Sequence, residues 1–126
     1  MRSKSRQRPA GRSESQARER VCPHYHAAVE LIGRRWTGAI LAALTDGPLR
    51  FAELAHSIPG LSDRLLSQRL KELEGEELVE RAVHPGSPVH VEYTLTEKGA
   101  ALEPTLTELR RWARQWNRPS KSVQRG

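Results

Sequence analysis

A single cysteine, Cys22, stands in a chain of 126 residues, so no intramolecular disulfide framework can hold the fold. No apolar run approaches the roughly 20 residues that cross a bilayer, and no hydrophobic secretion segment stands at the start. No membrane partner is expected, and a cytoplasmic protein is. There is no glycine-rich phosphate loop, no metal signature and no nucleophile motif. An enzyme is therefore not expected, and neither is a cofactor or a bound metal. The chain shows no internal repeat, and its length suits one core.

What is present is an uneven charge. The net value is +6. Residues 1–20 hold seven basic and two acidic side chains, and residues 117–126 hold three basic and no acidic ones. Residues 21–116 hold eleven basic and thirteen acidic, so the middle of the chain is −2. The first 20 residues are rich in Arg, Ser, Gln and Gly and have almost nothing apolar to offset the entropy of ordering. Three segments follow: a disordered basic extension over 1–20, a folded domain over 21–116 and a disordered basic tail over 117–126. Basic tails attract phosphate without reading sequence; they also serve as plain solvated extensions, and both readings stay open.

Inside 21–116 the apolar spacing predicts helices. Pro23 suits a first helical turn, Tyr25, Ala28, Val29 and Ile32 repeat at helical spacing, and Gly33 ends the run. Trp36, Ile40, Leu41 and Leu44 form a second stripe, stopped by Asp46-Gly47-Pro48. Phe51, Leu54, Ala55 and Ile58 form a third, short one. Pro59-Gly60 turns the chain, and Ser62 caps a fourth helix with Leu66, Leu70 and Leu73 inside and Gly75 closing it. Two alternating strands follow, one through Val79, Arg81 and Val83, the other through Val91, Tyr93 and Leu95, with loop residues His84-Pro85-Gly86-Ser87-Pro88 between. Thr96 then caps a long last helix with Leu102, Leu106, Leu109, Ala113 and Trp116 on one stripe, in which Pro104 is expected to cause a bend or an unpaired carbonyl. The fold class is mainly α with a small β-hairpin, a winged helix-turn-helix.

That order of parts offers a helix for the DNA major groove and a loop for the neighbouring backbone. On the fourth helix Asp63, Arg64, Ser67, Gln68 and Lys71 share one polar arc, with Ser62 at its start. Ser and Gln can read base edges, Arg can take guanine or phosphate, and Lys71 suits phosphate. Arg35, Arg50 and Arg81 are further candidate contacts, with His84, Ser87 and His90 on the wing, whose charge depends on pH. The last stripe exceeds what so small a core can cover. A homodimer interface through Leu102, Leu106, Leu109, Trp112, Ala113 and Trp116 is the expected use.

The chain resembles the HxlR-type branch of winged helix-turn-helix transcriptional regulators, related to the MarR superfamily. The resemblance rests on Cys22-Pro23, LIGRRW at 31–36, DGPLRFAEL at 46–54, IPGLSDRLLSQRLKELE at 58–74, LVER at 78–81 and VEYTLTEKG at 91–99. It implies a homodimer, paired through its last helix and through Tyr25 on its first, that binds a two-fold-related double-stranded DNA operator and acts at the bacterial nucleoid. Three features depart from the family pattern. Arg34-Arg35 precede Trp36 where Gly-Lys or similar is usual, and arginine keeps the phosphate contact. His24-Tyr25-His26 follow Cys22-Pro23 where apolar residues are usual. The Arg-rich front extension is an addition.

Some members of this family sense electrophiles or oxidants through a cysteine at this N-terminal position, which makes Cys22 a redox-sensing candidate and a small electrophile or oxidant a candidate effector. A thiol at a helix start, flanked by Arg20 and His24, has the positive surroundings that favour nucleophilic cysteines. The same residue can equally be an inert helix-start side chain. Cys22, His24 and His26 do not make a convincing metal site, because residues two apart do not face each other at a helix start and no fourth ligand stands nearby in sequence. The alternative to a DNA-binding regulator is a winged-helix protein-interaction module. Glu76 and Glu77 would repel phosphate if they faced it.

Overall fold

The computed structural model describes residues 22–117. The basic extension over 1–20 and the tail beyond Asn117 lie outside the described residues. The chain divides into two compact units between Arg34 and Arg35. The first contains α1, Pro23–Ile32. Pro23 occupies the first turn, where a missing N–H leaves no bond unmade. Gly33 ends the helix, its N–H donating to the Val29 carbonyl at 2.8 Å. Tyr25 and Val29 stand exposed on α1.

The second unit runs α2 (Thr37–Ala43), β1 (Leu49–Arg50), α3 (Phe51–Ser57), α4 (Asp63–Gly75), β2 (Val79–His84), β3 (His90–Leu95), α5 (Glu97–Ala100) and α6 (Glu103–Trp116). Its core follows the sequence stripes. Ile40 and Leu41 come from α2, Leu54 from α3, and Leu66, Leu70 and Leu73 from α4, all buried. The spacing of four then three on α4 keeps its leucines on one side of the helix. Leu78 and Val79 carry the core into the sheet.

The sheet has three strands in the order β1-β3-β2, all antiparallel. β2 and β3 pair from Val79↔Leu95 to His84↔His90, which sets the wing's register. The third strand was not foreseen. Only Leu49 and Arg50 form it, opposite Tyr93 and Glu92, and two residues carry no readable alternation. β1 covers the free edge of β3, so every residue of β3 is partly covered rather than alternating in and out.

Three local expectations need correction. Trp36 does not lie on the second helix; it precedes it as N-cap with φ 78°, a left-handed conformation that costs a bulky residue about 1–2 kcal/mol. Its indole lies over Gly60, where a Cβ would sit 3.5 Å from the ring, and Gly60 itself supplies the φ of +90° that the turn into α4 needs. At the end of α4 the left-handed residue is Glu77 (φ 62°) rather than Gly75. Leu78 N–H then donates back to the Leu73 carbonyl at 2.9 Å, which closes the helix as a Schellman-type cap.

The long last helix is in fact two. Thr96 caps as expected, its Oγ1 accepting from Gly99 N–H at 3.0 Å, but α5 ends at Ala100. Pro104 lacks an N–H and would clash with a continuing helix, so α6 begins afresh with Pro104 in its first turn. α5 also sits hard against the backbone after α4. Thr96 N–H donates to the Leu78 carbonyl at 3.0 Å, and a Cβ at Gly99 would collide with that same carbonyl. The third correction concerns Leu106. It is buried within its own chain, where α6 packs on α2, and is not part of an exposed stripe. Leu109, Trp112 and Trp116 are exposed, and Leu102 and Ala113 are half-buried.

Candidate nucleic-acid interface

α4 is tied at both ends, and its outer face is left free. At the N-terminus Ser62 Oγ accepts from Leu65 N–H at 3.1 Å, satisfying one of the unpaired first-turn donors. Asp63 adds a negative charge in that turn, where the helix dipole favours it. At the C-terminus the Lys98 ammonium donates to the Glu76 carbonyl at 2.7 Å. Midway, Arg69 Nε donates to the Arg35 carbonyl at 2.9 Å and its Nη1 meets both oxygens of Glu72 at 3.2–3.3 Å. Arg69 stands outside the outward row of α4 that the helical spacing marks for DNA. Glu72, three residues on, was the available sign that this arginine serves the scaffold.

Opposite the buried leucines, Asp63, Arg64, Gln68 and Lys71 are exposed and Ser67 is half-buried. Arg64, Gln68 and Lys71 follow one another at four and three residues, so they form a continuous row on one side of the helix. The row holds an amide able to make two bonds to one base and two cations suited to guanine or phosphate. Ser62 has its oxygen engaged in the cap and keeps its hydroxyl proton to donate.

The other candidates fall in three places. Arg35 is exposed, its guanidinium 5.1 Å from the centre of the Trp36 ring, while its carbonyl is held by Arg69. Arg50 is exposed at the start of α3, where its N–H donates to Glu53 Oε1 at 2.8 Å. The hairpin separates the rest. Paired residues share a face, so Arg50, His84, His90 and Glu92 lie on one face of the sheet. Arg81 lies on the other, with Val79 and Tyr93. Ser87 stands exposed in the loop between the strands.

His84 and His90 do not stand free on that face. His84 Nε2 is 3.0 Å from Glu92 Oε1, and His90 Nε2 is 3.9 Å from Glu92 Oε2. The two imidazoles stack, with centroids 4.9 Å apart and planes inclined by 22°. Glu92 was missed as a site residue. Its position two residues beyond His90 already implied it once the strands were paired.

Cys22 lies in the first unit. It is the N-cap residue of α1, half-buried, and its side chain makes no capping hydrogen bond. Its carbonyl accepts from His26 N–H at 2.8 Å, and His26 pairs along the helix with Glu30 at 3.7 Å. Among the described residues no helix is long and apolar enough to cross a membrane.

Residues 31–121 match the family described as HxlR-like helix-turn-helix. The chain is 48% identical over 103 residues to the HTH-type transcriptional regulator YodB of Bacillus subtilis, covering 82% of this chain and 92% of that one. The solved structure of YodB in its reduced form superposes with a TM-score of 0.72 at 49% identity, covering 79% of this chain and 98% of that one. The quinone-bound form of YodB superposes with a TM-score of 0.67 at 47% identity, covering 75% and 99%.

Proposed function

The chain belongs to the HxlR-like helix-turn-helix family of transcriptional regulators, and from that premise we propose that it is a homodimer reading an inverted-repeat operator with α4 and the β2–β3 wing. The observation that carries this reading is the free row Arg64, Gln68 and Lys71 on a helix whose other side is locked into the core. A two-fold dimer would present two such helices to successive major grooves, about 34 Å apart. The wing then meets backbone phosphate beside each half-site. The exposed Leu109, Trp112 and Trp116 on α6 support self-association, because so much aromatic surface is seldom left in water.

Cys22 is the proposed sensor. Its half-buried thiol is unpaired and is the only one in the chain. The relative YodB has been solved with a quinone bound, which supports an electrophile as the effector class here. The Cys22 thiol gives up its proton and its sulfur adds to a quinone ring carbon. The C–S bond forms as the ring C=C π bond breaks, and its electrons pass to the carbonyl oxygen, which takes up that proton. The ring C–H proton moves to the second oxygen to leave a hydroquinone thioether. A disulfide would require the cysteine of a second subunit.

The test is binding of the full chain to DNA flanking its own gene, followed by anisotropy over a range of salt. Saturable binding that weakens steeply with salt and exceeds binding to scrambled DNA is the expected result. Equal affinity for both DNAs would remove operator reading. No DNA binding, with a salt-insensitive protein partner instead, would favour the interaction-module alternative.

A further inference from the structure

We propose that His84, His90 and Glu92 form a binding site for a divalent transition-metal ion of the Zn²⁺ class at the base of the wing. The β2–β3 register makes His84 and His90 the last cross-strand pair before the loop, and Glu92 lies two residues further along on the same face. One ligand atom from each, an imidazole nitrogen or a carboxylate oxygen, lies within 4.8 Å of the other two. Two bonds of about 2.0–2.1 Å at a tetrahedral angle separate their donor atoms by roughly 3.3 Å. The spacings from His84 to one Glu92 oxygen, 3.0 Å, and from His90 to the other, 3.9 Å, bracket that value.

The donor set chooses the ion. Two imidazoles and one carboxylate suit Zn²⁺, Ni²⁺ or Cu²⁺ rather than Ca²⁺ or Mg²⁺, which take oxygen ligands. All three side chains are partly exposed, so an ion can enter and water can complete its shell. Ala82, paired with Glu92, adds only a methyl to this face, and Arg50 and Glu80 bring one charge of each sign to it. The ion would join the two strands where the loop leaves them. It would also add positive charge to this face. The effect on DNA rests on the reading of the wing as a phosphate contact: a loaded wing binds operator severalfold more tightly.

The experiment separates the two claims. Zn²⁺ is titrated into metal-free full-length protein by calorimetry, and Co²⁺ is titrated in parallel to read ligand-field bands. One equivalent per chain is expected, lost in His90→Ala and in Glu92→Gln and kept in Cys22→Ser and in the His24→Ala/His26→Ala double variant. Circular dichroism checks that the wing variants fold, and His84→Gln supplies a milder third variant. Absence of stoichiometric binding at micromolar Zn²⁺ would overturn the site, as would binding that survives His90→Ala or disappears with the α1 histidines. Operator affinity is then compared with and without Zn²⁺. An unchanged affinity in a metal-loaded chain would overturn the coupling to DNA alone. Failure to bind DNA in either state would instead count against the operator reading and leave the metal site standing.

Discussion

Leu106 and Trp112 lie on the same helix, six residues apart, and the structure gives them opposite roles. Leu106 is 8% exposed, on a helix that packs against α2, whereas Trp112 is 54% and Trp116 68% exposed. Truncating a buried leucine to alanine costs about 2–5 kcal/mol through lost transfer energy and the cavity left behind. Leu106→Ala should therefore lower the stability of each chain at any concentration. A fully covered tryptophan hides about 150–250 Å², so Trp112 leaves roughly 100 Å² in water. Covering most of that at about 25 cal/mol per Å² stabilises a dimer by roughly 2 kcal/mol per copy. With two copies per dimer, Trp112→Ala should raise the dimer dissociation constant by about three decades. The chain's own fold should change little, since exposed substitutions fall within about 0.5 kcal/mol. Sedimentation equilibrium reads the Trp112→Ala effect. Thermal melts at several protein concentrations read the Leu106→Ala effect, which is the same at every concentration, because only dimer-linked stability varies with concentration. A parent chain that sediments as a monomer at micromolar concentration would refute the reasoning. So would a Trp112→Ala variant as tightly paired as the parent.

Arg64→Ala and Gln68→Ala should each cost about 1–3 kcal/mol on the preferred operator and less on random DNA; equal losses on both, measured by anisotropy, would make those side chains phosphate holders only. Gly99→Ala should destabilise the chain by about 1–3 kcal/mol, because the added methyl meets the Leu78 carbonyl; a denaturant midpoint unchanged from the parent would disprove that contact. Cys22→Ser should bind operator as the parent does and ignore diamide or quinone, whereas the parent should release it; a parent insensitive to both reagents would leave Cys22 as an ordinary helix-start residue.

Much of the fold was readable because its stripes are regular. Leu66, Leu70 and Leu73 required a helix with one apolar side, and Ser62 marked its start. The hairpin was readable from two alternating runs around a Pro/Gly loop. The missed features involve partners distant in sequence. β1 exists only because β3 offers Leu49 and Arg50 an edge to pair with. Trp36 takes a left-handed backbone at the helix start, its indole against Gly60 across the turn. Leu106 had the same spacing as Leu109 and Ala113, and no periodicity could show that α2 covers one and not the next. On the wing, the histidines were visible singly. Their meeting with Glu92 needed the register.

The ties on α4 bear directly on what the helix can do. A reading helix loses discrimination if it can rock, since a side chain must meet a base edge within hydrogen-bond distance. Here the middle is tied through Arg69 to the Arg35 carbonyl and the C-terminal end through Lys98, while the Ser62 cap and the Leu73–Leu78 return close the helix's own ends. None of these bonds uses Arg64, Gln68 or Lys71. The scaffold is therefore held by one set of polar groups and the outer face is presented by another. It follows that Arg69→Ala should harm recognition without removing any base contact. Freed from the Arg35 carbonyl, α4 would lose its middle anchor, and affinity for operator would fall more than affinity for random DNA, because phosphate attraction tolerates a loose helix and base reading does not.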